Sequence, residues 1–265
     1  MKSGFVSIVG RPNVGKSTLL NSIIGSKVAI TSSTAQTTRN MIQGIYNSDE
    51  LQIVFVDTPG IHKPKNKLGK ILNEQAYYSM NDVSVILFLI DVTKKVGSGD
   101  MFVLEKIKET NLPVILVLNK IDKMRYEELL PMINEYSKLY DFKEIVPISA
   151  YKGKNIEELL DTIAKYLKDD IKYYGEDIVS NNSVDFTISE LIREKILYKT
   201  KEEVPHSLTC VVDNIEMDKK SMNIYASIIV DRENLKKIII GKQGQMIKSI
   251  GIDSRKELEN LFNKK

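Results

Sequence analysis

The sequence predicts a doubly wound α/β sheet over residues 1–168 and a small α+β module after it. Three observations carry this. Short apolar runs of strand length alternate with helically spaced segments. The first apolar run ends in a glycine-rich loop that opens a helix, and the rhythm stops at Lys168.

Residues 5–9 form a strand-like run ending at Gly10, and residues 16–24 carry Leu19, Leu20, Ile23 and Ile24 at helical spacing. Continuous apolar runs at 53–56, 85–90 and 114–118 are of the kind found in parallel sheets covered on both faces. Helical stretches lie between and after them at 68–80, 100–109 and 126–139. A strand at 145–148 and a helix at 156–167 complete the series, implying right-handed crossovers. On such sheets ligands bind at the carboxyl ends of the strands. Residues 169–183, with Gly175, paired acids and Asn181-Asn182-Ser183, read as a polar linker. The second domain, 184–265, then has a helix at 189–198, strands at 208–215 and 223–230, and helices at 233–240 and 245–262.

Composition excludes several classes. The 265 residues carry 38 basic and 35 acidic side chains, a net +3, too balanced for a polycation that binds nucleic acid by charge alone. Charge is concentrated instead: residues 236–265 hold eight basic residues against three acidic ones. One cysteine, Cys210, rules out an internal disulfide framework and fits a reducing, cytoplasmic compartment. The longest apolar run, 85–90, is far below the roughly 20 residues of a spanning helix. The N-terminus lacks a secretory pattern. Neither histidine has a partner at ligand spacing, which argues against zinc.

Gly10-Arg11-Pro12-Asn13-Val14-Gly15-Lys16-Ser17 fits G-x-x-x-x-G-K-[ST] in its required setting of strand before and helix after. Its backbone N–H groups can curl around phosphates, assisted by the helix N-terminus. Lys16 would reach the β- and γ-phosphates, and the Ser17 hydroxyl would ligate Mg²⁺. Asp57-Thr58-Pro59-Gly60 ends the run at 53–56, with Asp57 placed to hold Mg²⁺ and Gly60 to bring its N–H to a γ-phosphate. Asn119-Lys120-Ile121-Asp122 follows the next strand tip but one. A carboxylate at Asp122, expected to be buried, accepts both adjacent donors of guanine and faces none on adenine, an unpaired-group penalty of about 1–3 kcal/mol. Ser149-Ala150 closes a further strand and can offer the Ala150 N–H to guanine O6. GTP is thus favoured over ATP.

The P-loop, Gln36-Thr37-Thr38-Arg39, Asp57-Thr58-Pro59-Gly60-Ile61-His62, Asn119–Asp122 and Ser149-Ala150 together resemble the G domain of the Era family of bacterial GTPases. The resemblance implies that Thr38 is the switch threonine on Mg²⁺, with Thr37 as the other candidate. Ile61 stands where Ras-like enzymes carry a water-orienting glutamine, so intrinsic hydrolysis should be slow. The expected compensation is K⁺ at Asn13, as in related GTPases with that asparagine, with carbonyls of Ser32 and Thr34. The catalytic set is then Asn13, Lys16, Thr38 and Gly60. His62 with Lys63, Lys65, Lys67 and Lys70 reads as a solvated basic loop, or else as an RNA or partner contact.

In the second domain, Gly241-Lys242-Gln243-Gly244 joins two helices with apolar flanks, and Lys248 follows. Together with residues 192–197 and 202–207 it is similar to the type II KH domain of the same family, whose Gly-x-x-Gly loop lets the backbone approach about four nucleotides. The resemblance implies binding to the 3′ end of 16S rRNA, a role in 30S subunit assembly, a monomer, and loose association with the inner face of the membrane. Family members continue with a further strand, which this sequence lacks. Two other readings stay open: an RNA-binding module with a passive G domain, and a P-loop ATPase or kinase.

Overall fold

A computed structural model describes residues 1–34, 36–64, 67–201 and 204–265, so Ala35, Lys65, Asn66, Glu202 and Glu203 of the segments discussed above lie outside it. The chain divides into two compact units, Met1–Asn181 and Asn182–Lys265.

The first unit runs β1 (Lys2–Val9), α1 (Lys16–Ile24), β2 (Ile42–Asn47), β3 (Leu51–Asp57), α2 (Lys67–Tyr78), β4 (Val85–Asp91), α3 (Ser98–Lys108), β5 (Val114–Asn119), α4 (Tyr126–Ser137), β6 (Glu144–Ile148) and α5 (Ile156–Ala164). Its sheet has the order β2-β3-β1-β4-β5-β6. All neighbours pair in parallel except β2, which is antiparallel to β3. All seven residues of β4 and all six of β5 are buried, as continuous apolar strands between two helical layers must be. One face packs Ile86, Phe88 and Ile90 against Val103, Leu104 and Ile107 of α3 and Tyr136 of α4. The other receives α1 on β2 and β3, and α5 on β6.

Two features depart from the sequence reading. Strand β2 was not foreseen: Gly44 interrupts its apolar alternation, and only pairing with β3 supplies its order. A Cβ at Gly44 would come within 2.6 Å of Leu20 Cδ1, so the glycine lets α1 seat on this strand. The second departure is the polar linker, of which residues 169–181 belong to the first unit. Asp169 bridges to Ser3 and Ser180 to Gly44, and Ile45 donates its N–H to Val179 O at 2.9 Å. Buried Gln52 accepts from the N–H groups of Tyr173 (2.7 Å) and Tyr174 (3.1 Å) and donates to Tyr174 O at 2.9 Å. Tyr173 also sets its ring edge-on to Phe5 at 4.8 Å. Backbone groups of this strap pair with the open flank of β2 while polar side chains tie it down, where composition alone reads solvation.

The second unit runs α6 (Val184–Lys199), β7 (Leu208–Met217), β8 (Met222–Val230), α7 (Glu233–Ile240) and α8 (Gln245–Phe262). Helix α6 begins a turn before the foreseen helix because Ser183 caps it, its hydroxyl accepting from Phe186 N–H at 3.1 Å. Strands β7 and β8 pair antiparallel, with an irregularity between Val212 and Asn214. Ile196, Leu208, Cys210, Leu235, Ile239 and Ile250 form the core. Lys265 pairs in parallel fashion with the start of β8: Met222 N–H donates to its carbonyl at 2.7 Å, and its own N–H donates to Lys220 O. Beyond that point an open, largely apolar groove of about 680 Å³ lies between β8 and α8.

Candidate functional site

Five chain segments converge where β1, β3, β4, β5 and β6 end, because parallel strands place all their carboxyl ends along one edge. The loop from Gly10 to Ser17 leaves β1 with Gly15 in the left-handed region (φ 104°), where a Cβ would lie 2.4 Å from Asn119 Nδ2. No other residue fits there. Val14 is buried and its carbonyl accepts from Asn119 Nδ2 at 2.9 Å. Arg11 pairs with the buried carboxylate of Asp100 at 2.8 Å, fastening the loop to the start of α3.

Lys16 is 6% exposed, and its ammonium donates to the carbonyls of Arg11 (3.1 Å) and Gly10 (3.4 Å). Burial lowers its pKa to about 8 against the opposing charge of Asp57. The Asp57 carboxyl is pushed above its usual range by burial, although Lys16 and hydrogen bonds from Ser17, Thr58 and Thr38 oppose the shift. The Ser17 hydroxyl donates to Asp57 Oδ2 at 2.6 Å, and its oxygen lies 2.8 Å from the Thr38 hydroxyl. Asp57 Oδ1 is buried with no hydrogen-bond partner among the described residues. Two hydroxyl oxygens and an orphaned carboxylate oxygen are the hard donor set that Mg²⁺ takes, and Ser17, Thr38 and Asp57 fit it. Thr37 is not part of this set, since its hydroxyl donates to Thr34 O at 2.7 Å and contacts Ser32 Oγ at 2.6 Å.

Thr58 is fully buried and bonds Ile8 O at 2.9 Å. Gly60 lies against Pro12: a Cβ would fall 2.6 Å from Pro12 N, so glycine alone lets the 59–60 turn approach the P-loop. Ile61 donates its N–H to Gly10 O at 3.1 Å and buries its side chain in the core, which removes it from water chemistry. Asn13 sits at φ 65°, and its Nδ2 donates to Ser33 O at 2.8 Å. The structure therefore joins Asn13 to the 31–34 segment through the carbonyl between the two that the sequence singled out.

At the opposite end, Asn119 is buried and its Oδ1 accepts from the N–H groups of Lys120 (2.8 Å) and Ala150 (3.0 Å). The Ala150 N–H thus fixes Asn119 and lies at the same strand edge as Asp122 and Ser149. Asp122 is exposed rather than buried, and its Oδ1 accepts from Ser149 Oγ at 2.5 Å. It lies on a solvent-facing turn, so a base must cover it before the carboxylate can discriminate. Ile121 is partly buried against the core. Lys120, at φ 71°, donates to Asn13 O at 2.8 Å and to Asp91 Oδ2 at 2.6 Å.

Asp91 and Asp100 were missed by sequence reasoning. Burial pushes the Asp91 carboxyl up, but hydrogen bonds from Lys120 and Thr93 outweigh it and hold it below the usual range. Its one local signal is that, like Asp57, it is a carboxylate at the tip of an apolar strand run, which does not by itself mark a role.

In the second unit, Gly241 (φ 72°), Gln243 (φ 51°) and Gly244 (φ 73°) give the turn between α7 and α8 three unusual backbones around Lys242. Lys242, Gln243 and Lys248 lie at the surface, as do the apolar side chains of Ile238, Ile240 and Ile247 beside them. Lys63 is exposed on the segment before α2, whereas Lys67 and Lys70 are exposed on the first turn of that helix, a correction to the loop reading.

The family model for a 50S ribosome-binding GTPase matches residues 5–120, and that for the KH domain matches residues 203–265. A solved structure of Era in complex with MgGDPNP and nucleotides 1506–1542 of 16S ribosomal RNA superposes with a TM-score of 0.96 at 45% identity, covering 100% of this chain and 90% of that one. A single-substitution variant of Aquifex aeolicus Era, bound to GDP and AlF4⁻, gives 0.95 at 45% identity, covering 99% of this chain and 90% of that one. A P-loop and base-recognition turn on a doubly wound sheet, followed by a helix–Gly-x-x-Gly–helix unit, match these structures throughout: the chain belongs to the Era family of GTPases.

Proposed function

We propose that this protein is a GTP-hydrolysing switch that binds the 3′ end of 16S rRNA and assists assembly of the small ribosomal subunit. The observation that carries the reading is the gathering of Ser17, Thr38 and Asp57 over buried Lys16, with Asp122 and Ser149 at the far end of the same strand edge. Mg²⁺, when bound, supplies charge that neutralises the developing negative oxygens of the transferred phosphoryl group. The chain's own residues do the rest. The Gly10–Ser17 loop cradles the phosphates, Lys16 compensates their charge, and Gly60 offers its N–H at the γ-position. Asp122 accepts from guanine's two adjacent donors. Recognition of RNA falls to the Gly241–Gly244 loop, where Lys242 and Lys248 meet phosphates and the exposed isoleucines meet bases. The Era complex with 16S nucleotides supports this reading. Its test is filter binding of a short 16S 3′-terminal RNA. The RNA should be held more tightly with a non-hydrolysable GTP analogue than with GDP, and equal retention would favour a passive G domain.

Hydrolysis is slow on this reading, since Ile61 can neither donate nor accept a hydrogen bond to water. K⁺ at Asn13, with the carbonyls of Ser32 and Thr34, provides the missing positive charge. Turnover should then be several-fold faster in KCl than in NaCl, and Asn13→Ala should abolish the difference. The reducing-compartment signature of one cysteine, buried at Cys210, and a ribosomal RNA partner support a cytoplasmic location, and the reading takes the protein as a monomer. Peripheral contact with the inner membrane face completes the proposal.

A further inference from the structure

The two loops that flank the phosphate site touch through the side chains of Gln36 and His62. Gln36 Nε2 lies 2.9 Å from His62 Nε2, and His62 Nδ1 lies 3.0 Å from Gly60 O. A carbonyl cannot donate, so Nδ1 carries the proton and Nε2 is left to accept from the Gln36 amide. Both ring nitrogens are thereby engaged, and neither remains to take a proton from water. His62 is consequently not placed as a general base.

The His62 half of this contact is rigid. Its N–H donates to Asn73 Oδ1 (3.3 Å) and its carbonyl accepts from Asn73 Nδ2 (2.7 Å), while Asn73 itself is 3% exposed on α2. The preceding residue, Ile61, is anchored in the core and on Gly10 O. The Gln36 half belongs to the loop that must close. Gln36 stands at φ 61°, a left-handed backbone that a glutamine adopts at a cost, two residues before Thr38 in the metal set. A strained residue tied to a fixed imidazole sets the register of the loop.

We propose that Gln36 and His62 are positioning residues that latch residues 36–38 onto the 60–62 turn and so hold Thr38 beside Ser17. Their contact exists only with the loop closed. With Ile61 buried, this closure is what arranges the surroundings of the γ-phosphate. The inference rests on the GTPase reading and on Thr38 as a metal ligand; loss of that reading would show as loss of guanine nucleotide binding altogether, whereas loss of the latch would not.

The test is a double-mutant cycle on the full chain with Mg²⁺ and saturating K⁺. Gln36→Asn keeps a residue that accepts the left-handed backbone but is one methylene too short to reach, and His62→Phe keeps the ring without its nitrogens. Each should slow single-turnover GTP hydrolysis by roughly tenfold, the factor one net hydrogen bond is worth. Each should also speed dissociation of a fluorescent non-hydrolysable GTP analogue by a similar factor, while fluorescent GDP dissociates at an unchanged rate. The double variant should be no slower than the slower single, and His62→Gln, whose Oε1 can accept from Gln36, should recover most of the rate. Multiplicative losses, equal effects on GDP and the GTP analogue, or no effect at all would overturn the latch.

Discussion

Lys16 shows how one residue's environment becomes an observable. Its side chain lies in a shell of backbone carbonyls, and burial holds its pKa at about 8. A triphosphate adds negative charge next to the ammonium and raises that pKa, so binding must take up protons wherever part of Lys16 is neutral beforehand. Uptake on binding Mg·GTP should grow from about a tenth of a proton at pH 7 to about half at pH 8. Calorimetry in buffers of different ionisation enthalpy reads it directly, and net proton release on approaching pH 8 would contradict the assignment. At this scale the sequence is most legible where a spacing rule fixes backbone and side chain together, as at Gly15, Lys16 and Ser17. It is least legible where a side chain acts through a neighbour distant in the chain. Asp91 reaches Lys120 only because β4 and β5 are adjacent, and nothing local distinguishes it from an ordinary strand-end carboxylate. The Ala150 N–H bond is of the same kind: its acceptor, Asn119 Oδ1, is 31 residues off.

Among the elements, the parallel core was readable because β4 and β5 are uniformly apolar and bury every residue. Strand β2 and the strap of residues 169–181 were not, because their order comes from hydrogen bonding to each other and to β3 rather than from periodic burial. Gln52 concentrates that bonding in one buried amide, which also donates to Asn47 Oδ1 at 2.7 Å. Gln52→Leu would leave the Tyr173 and Tyr174 N–H groups without their acceptor. It should cost about 2–3 kcal/mol in urea unfolding of the first unit and raise amide exchange at residues 173–174. Unchanged exchange there would mean the strap is held by its other contacts.

For the whole molecule, the division at Asn181 separates a unit that holds the nucleotide site from one that holds the Gly-x-x-Gly turn. A ligand stabilises only the unit whose native state it binds. Thermal unfolding should therefore show two transitions, with Mg·GDP at a hundredfold its dissociation constant adding about 2.7 kcal/mol to one and nothing to the other. A single transition that shifts as one would show that the units unfold together. The strap gives the division a mechanical aspect. Gln43 Oε1 accepts both the Tyr174 hydroxyl (2.9 Å) and the Asn181 amide (2.7 Å), and it stands five residues beyond Thr38. The chain that leads on to the second unit is thus moored within about 17 Å of extended backbone from Thr38, so one short stretch running into β2 carries both the switch-side threonine and the anchor of the strap.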